Sequence, residues 1–124
     1  MNLKDSILIT GITGQVGSQM ADFILENTNL EVIGMMRWQE PLDNIYHLTK
    51  RINNKDRLSI VYADLNDYSS INRAFSEYKP KYISHLAAQS YPKTSFNIPL
   101  ETLQTNIIGT ANILESIRQL KEKT

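Results

Sequence analysis

The 124-residue sequence contains no cysteine, which excludes disulfides and thiolate metal sites and fits a reducing compartment. It also lacks a charge of either sign in excess, with 13 Lys+Arg against 13 Asp+Glu. Without a positive field, neither nucleic acid nor an anionic membrane surface is an expected partner. No apolar run approaches the roughly 20 residues of a membrane span. The start, Met1 to Ser6 followed by a short apolar run ending at Gly11, has no signal-peptide character. A cytoplasmic protein is expected. Repeats, low-complexity tracts and linkers are missing as well, and no metal site is expected.

What is present is an ordinary folding composition, 41% hydrophobic and 21% charged. The length suits one domain, residues 1–124, and is too short for two. Ile7-Leu8-Ile9-Thr10 is short, β-branched and apolar on both faces, as a buried parallel strand is. Glycines follow at positions 11, 14 and 17. Apolar residues then return at helical spacing (Met20, Phe23, Ile24, Leu25), which predicts a helix from about Gln15 to Asn27. Leu30 to Met36 reads as a second strand. Pro41 suits a helix start, and Ile45, Leu48 and Ile52 form a weak helical stripe. After a turn at Asn53 to Asp56, Leu58 to Tyr62 reads as a third strand. Asp67 is a candidate N-cap for a helix through Tyr78, with Ile71, Ala74, Phe75 and Tyr78 inward. Tyr82 to Ala87 reads as a fourth strand, and a long helix is expected from about Leu100 to Leu120.

This βαβαβαβα order predicts an α/β fold, a doubly wound parallel sheet of Rossmann type that is truncated after the fourth strand and helix. Strand four should lie on the far side of strand one from strands two and three. The crevice at that switch point gathers two loops, Gly11 to Gly17 and Ala87 to Tyr91. With no strand five, the outer edge of strand four would be exposed and self-association is expected.

Thr10-Gly11-Ile12-Thr13-Gly14-Gln15-Val16-Gly17 combines a strand end, a glycine turn and a helix start. Gly11 permits the turn, Gly14 lets a pyrophosphate reach the backbone, and Gly17 allows helix and strand to pack closely. The helix N-terminus adds unpaired N–H groups and partial positive charge. The ligand-free alternative is a glycine-rich turn with no partner. After strand two the sequence offers Arg37 and no carboxylate before Glu40. A guanidinium suits a ribose 2′-phosphate, so NADP is the expected cofactor; the alternative is a solvated surface arginine. Asp64 either terminates strand three or binds a ligand. His85, inside strand four, reads as a packed, hydrogen-bonded histidine.

The glycine spacing, GxxGxxG after Thr10, resembles the extended short-chain dehydrogenase/reductases, the NAD-dependent epimerase/dehydratase family, and the resemblance covers the whole chain. It implies cofactor contacts from Gly11, Thr13, Gly14, Gln15, Val16, Gly17 and Arg37. It implies further that Asp64-Leu65 hold the adenine, and that Leu86, Ala87, Ala88 and Ser90 line the ribose and nicotinamide side. Asn106-Ile107-Ile108-Gly109-Thr110 resembles the family's NxxGT segment, read as mainly structural. Gln15, Arg37, Asp64-Leu65, Ala88-Gln89-Ser90 and Thr94-Ser95-Phe96 are most similar to the branch acting as GDP-mannose 4,6-dehydratases. Val16, where that branch usually has Asp, and Trp38, where a second basic residue is common, depart from it.

The family's catalytic Tyr-x-x-x-Lys pair follows strand five. Tyr46 and Lys50 match those letters but precede strand three, so no catalytic residue is assigned and the chain is expected to be inactive alone. By resemblance it is the cofactor-binding part of a lyase acting on a nucleotide sugar, GDP-mannose, within a homo-oligomer. The alternatives are another nucleotide-sugar epimerase or reductase, or a stand-alone dinucleotide-binding module.

Overall fold

The computed structural model describes residues 5–38, 40–87 and 96–123. They form two compact units, one from residues up to Tyr62 with Pro80–Ala87, the other from Ala63–Lys79 with the chain after Ala88.

The first unit holds four parallel strands: β1 (Ser6–Thr10), β2 (Glu31–Met36), β3 (Leu58–Tyr62) and β4 (Tyr82–His85). Their order is β3-β2-β1-β4, the arrangement expected from the alternation of elements. The register pairs Thr10 with both Met35 and His85, so the carboxyl ends of β1, β2 and β4 finish level. Helix α1 (Gln15–Asn27) follows β1. Its buried stripe is Gly17, Ser18, Ala21, Ile24 and Leu25, which packs with Ile9, Val32 and Leu58 of the strands. Phe23, expected on that inner face, is 64% exposed. It follows Ala21 by two and precedes Ile24 by one, and a step of about 100° per residue takes it off the stripe.

The segment after Pro41 is not a single α-helix. A 3₁₀ stretch, Asp43–Leu48, leads into a short helix α2, Thr49–Asn53. Leu42 at its start supplies no capping side chain. Tertiary bonds hold the 3₁₀ turn instead: Asn44 Nδ2 donates to the Thr13 carbonyl at 2.9 Å, and His47 Nε2 meets Asp22 Oδ1 at 2.8 Å. The expected stripe is real, since Ile45 and Leu48 join the core and Ile52 packs against it. Arg57, which the sequence reading passed over, has a left-handed backbone. Its guanidinium donates to the carbonyls of Leu25, Thr28 and Leu30, closing the C-terminal end of α1, where orphan carbonyls need donors.

Strand β4 is two residues shorter than expected. Past His85 the Thr10 hydroxyl enters the pairing: Leu86 N is shared between the Thr10 carbonyl and Oγ1, and Ala87 N donates to Oγ1.

The second unit holds α3 (Tyr68–Tyr78), α4 (Pro99–Leu103) and α5 (Gly109–Lys123). Asp67 caps α3 as expected, accepting from Ser69 N at 3.2 Å. Hydrogen bonding from Ser69 holds its carboxyl below the usual carboxylate range. Ile71, Ala74 and Phe75 are buried and Tyr78 is half-buried. Helix α3 packs on α5. The long final helix is interrupted: Gln104–Ile108 forms a π turn between α4 and α5. It overlaps the first three residues of the Asn106-Ile107-Ile108-Gly109-Thr110 segment, and such single π turns are rare interruptions of α-helices. Just beyond it Gly109 lies against Leu65, where an added Cβ would come within 2.8 Å of the Leu65 Cβ. Among the described residues no helix is long and apolar enough to cross a membrane.

Candidate functional site

The site is built at the carboxyl ends of β1, β2 and β4. Gly11 has φ +76° and its N–H donates to the Met35 carbonyl at 3.2 Å. This left-handed step, cheap for glycine, turns the chain sharply out of β1. The Gly11 carbonyl then accepts from Gly14 N at 3.0 Å, and the Gly14 carbonyl from Ser18 N at 3.0 Å. Gly17 packs on the turn so closely that an added Cβ would stand 2.2 Å from the Gly11 oxygen. Gly11 and Gly17 are therefore required by the fold.

Gly14 differs. Its φ of −76° and ψ of 171° suit any residue. An added Cβ would meet only the Gly11 oxygen, at 3.3 Å. Gly14, Gln15 and Val16 are all exposed. No side chain caps α1, and no acidic residue sits in its first turn. The first N–H groups of a helix have no intrahelical acceptor, so the exposed start of α1 offers backbone donors that a side chain at position 14 would crowd.

Thr10 ties this loop to the end of β4. Its buried Oγ1 accepts from Leu86 N at 2.9 Å and Ala87 N at 3.0 Å, and lies 2.7 Å from His85 Nδ1. With both N–H groups donating to the oxygen, the single hydroxyl hydrogen is left for Nδ1. That arrangement suits a neutral His85 whose Nδ1 accepts. Burial acts in the same direction, pushing its pKa below the ordinary histidine value. His85 is thus a hydrogen-bonded structural histidine. Ala87 also packs beneath Gly11, whose added Cβ would come within 3.0 Å of the Ala87 nitrogen.

Beyond β2, Arg37 Nε donates to Glu40 Oε1 at 2.8 Å, and the Arg37 side chain is 67% exposed. The other Glu40 oxygen accepts from the Thr13 hydroxyl. Burial pushes the Glu40 carboxyl up, but the bonds from Arg37 and Thr13 outweigh it and hold the group below its usual pKa. Trp38 and Tyr62 form an edge-to-face pair, with centroids 5.0 Å apart.

Nine of the expected site residues (Gly11, Thr13, Gly14, Gln15, Val16, Gly17, Arg37, Leu86 and Ala87) therefore lie in the first unit, around the glycine turn. Asp64 and Leu65 belong to the second unit. Asp64 is exposed and its Oδ1 accepts from Asn66 N at 2.9 Å. The Leu65 side chain is buried, and its carbonyl accepts from Asn112 Nδ2 at 2.7 Å. Ala88 and Ser90, with Gln89, Thr94 and Ser95, lie outside the described residues. Tyr46, set aside above, is 76% exposed. Two residues escaped the sequence reading. Glu40 had no motif to mark it, while the threonine preceding Gly11 was a signal for Thr10.

Residues 8–124 match the family described as GDP-mannose 4,6 dehydratase. The chain is 39% identical over 120 residues to GDP-mannose 4,6-dehydratase of Vibrio cholerae serotype O1, covering 94% of this chain and 32% of that protein. It is 38% identical over 115 residues to the Drosophila melanogaster GDP-mannose 4,6 dehydratase, covering 90% and 29%. Among solved structures, UDP-glucose 4-epimerase from Thermus thermophilus in complex with NAD superposes with a TM-score of 0.78 at 29% identity, covering 94% of this chain and 34% of that one. The chain spans about a third of the length of the curated relatives it matches. The sheet order, the glycine turn and these similarities agree, and the chain belongs to the GDP-mannose 4,6-dehydratase family of extended short-chain dehydrogenase/reductases.

Proposed function

We propose that residues 1–124 are an NADP-binding Rossmann domain, the cofactor-binding portion of a nucleotide-sugar 4,6-dehydratase whose substrate is GDP-mannose. The observation that carries the reading is Gly14. It is exposed at an uncapped helix N-terminus and the fold makes little demand on its lack of a side chain; a pyrophosphate approaching the backbone does make that demand. The glycine turn and Arg37 of the first unit fit the phosphates of a dinucleotide, and the other roles are those the family resemblance implies. The turn from Gly11 to Gly17 receives the pyrophosphate, and Arg37 receives the 2′-phosphate through charge-assisted bonds. Leu86 and Ala87, with Ala88 and Ser90, serve the ribose and nicotinamide side, and Asp64-Leu65 the adenine. When bound, NADP supplies a reversible hydride acceptor for a lyase reaction in which the sugar loses water. No residue of this chain is assigned as general acid or base.

The remaining parts of the proposal are a cytoplasmic location and a homo-oligomer. Leu100, Leu103, Ile107 and Leu114 are exposed along the last helices, which supports self-association.

Calorimetric titration with NADP(H) and NAD(H) tests the cofactor. Preference for NADP(H) is expected, and Arg37→Ala should cost roughly ten- to a hundredfold of it, the value of a charged hydrogen bond. Equal affinities, or a preference untouched by Arg37→Ala, would refute it. Incubation of the chain with NADP⁺ and GDP-mannose should give no 4-keto-6-deoxy product by mass spectrometry, whereas a chain extended to the length of the relatives should give it. An extended chain that accepts only another nucleotide sugar would overturn the substrate and leave the cofactor reading intact.

A further inference from the structure

The guanidinium proposed for the 2′-phosphate already has an anion beside it. Glu40 reaches back three residues to Arg37 Nε, over a backbone turn in which Glu40 N donates to the Arg37 carbonyl at 3.4 Å. Its second oxygen is engaged by Thr13, a residue of the glycine turn. With both oxygens held, the Glu40 side chain is only 18% exposed. It is a carboxylate fixed in place between the two elements that would grip the cofactor's phosphates.

We propose that Glu40 is a specificity-determining residue of this site, an internal anion that competes with the 2′-phosphate for Arg37 and so narrows the preference for NADP over NAD. The inference rests on the cofactor reading above. A ligand without the 2′-phosphate leaves the Arg37–Glu40 pair intact. A ligand with it brings a second anion to the same guanidinium, and must either displace Glu40 or bind beside it at close range. Both routes oppose the phosphate. Separating an exposed ion pair costs at most about fivefold in an equilibrium constant. The alternative route, binding beside Glu40, meets repulsion between the two anions, about fivefold under water-like screening at roughly 4 Å and larger at the lower effective dielectric near a protein surface, and is screened by salt. The carboxylate is ionised at neutral pH, as the bonds from Arg37 and Thr13 keep its pKa low, so the competition operates under ordinary conditions.

The test needs only the adenosine end of the cofactor. Adenosine 2′,5′-bisphosphate and adenosine 5′-monophosphate are titrated into the full chain and followed by the fluorescence of Trp38, the single tryptophan, which adjoins Arg37 in sequence. Glu40→Gln keeps the shape and removes the charge. It should bind the bisphosphate up to about fivefold more tightly than the parent at low salt, with the monophosphate unchanged within about twofold. Glu40→Asp should behave as the parent and Glu40→Ala as Glu40→Gln. The gain should shrink as salt is raised, which a purely structural role for Glu40 would not produce. If Glu40→Gln binds the bisphosphate no more tightly, while the parent still prefers it and Arg37→Ala abolishes that preference, the role of Glu40 is refuted and the cofactor reading stands. If the parent binds the two ligands equally and Arg37→Ala changes nothing, the cofactor reading fails and this inference fails with it.

Discussion

Gly17→Ala separates what the fold needs from what a ligand needs. On propensity alone the change should help, since alanine is favoured over glycine inside a helix by about 1 kcal/mol. The geometry opposes it. The new Cβ would lie 2.2 Å from the Gly11 oxygen and 2.9 Å from the Gly11 carbonyl carbon. Backbone, not a flexible side-chain tip, must yield by roughly 0.8 Å to reach even the 3.0 Å floor of real contacts. The Gly11 carbonyl cannot swing away freely, because it accepts from Gly14 N, and the Gly11 N–H is bonded to Met35. Overpacking of this kind costs about 1–3 kcal/mol, and losing the Gly14 bond adds about 1 kcal/mol. Against the propensity gain, a net loss of about 2 kcal/mol is expected, or roughly 6–12 °C in thermal midpoint for a chain of this size. Gly14→Ala is the contrasting variant. Its Cβ meets only one atom, at 3.3 Å, so its stability should fall by no more than about 1 kcal/mol, the difference between glycine and alanine at a helix cap. Yet its nucleotide binding should drop by about tenfold or more, since the methyl crowds the backbone donors. Thermal unfolding and titration with NADP(H), run side by side on both variants, read the two effects. The reasoning is refuted if Gly17→Ala melts with or above the parent, or if Gly14→Ala binds nucleotide as well as the parent does.

Thr10→Val should cost about 1–3 kcal/mol by denaturant unfolding, because it removes the hydroxyl bonded to the part-buried Ala87 N–H and His85 Nδ1, while Leu86 N keeps the Thr10 carbonyl; unchanged stability would show that this knot does not hold the two strand ends together. Ser116→Ala should stabilise by about 1 kcal/mol, since the Ser116 hydroxyl is fully buried with no hydrogen-bond partner among the described residues and alanine is the better helix former; a lower thermal midpoint would mean that the hydroxyl is satisfied. Strand β4 has β1 as its sole partner among the described residues, so light scattering on the chain at roughly tens of micromolar should show self-association through the open edge, and a clean monomer would contradict it. Lowering the pH from about 4.5 toward 2 should weaken α5: hydrogen bonds from Arg118 and Gln119 depress the Glu115 carboxyl to about 2, so its contribution is present above the unfolded value and fades as the pH falls through the folded one. Glu115→Gln should remove that part of the acid sensitivity.

The sequence by itself determined the order and direction of the strands and the place of the glycine turn. Short β-branched runs alternating with helical stripes can be satisfied only by parallel pairing with crossovers. A glycine every third residue between a strand and a helix is a local chemical signal. The cap at Asp67 was legible for the same reason, because a capping side chain bonds within two or three residues of itself. Tertiary structure decided the rest. Phe23 satisfies a rough apolar count yet faces outward, since the packing stripe is set by what α1 lies against. The stretch after Pro41 winds as 3₁₀ under bonds from residues 31 and 25 positions away, and at the end of β4 a side chain 76 residues earlier shares the Leu86 N–H. Most telling is Glu40. In the sequence it stands four residues past the end of β2, too late to belong to the strand end, and only the backbone turn from Arg37 brings its charge onto the guanidinium and the glycine loop. Local chemistry can be read along a chain, but the field at a binding site depends on which distant charges the fold sets side by side.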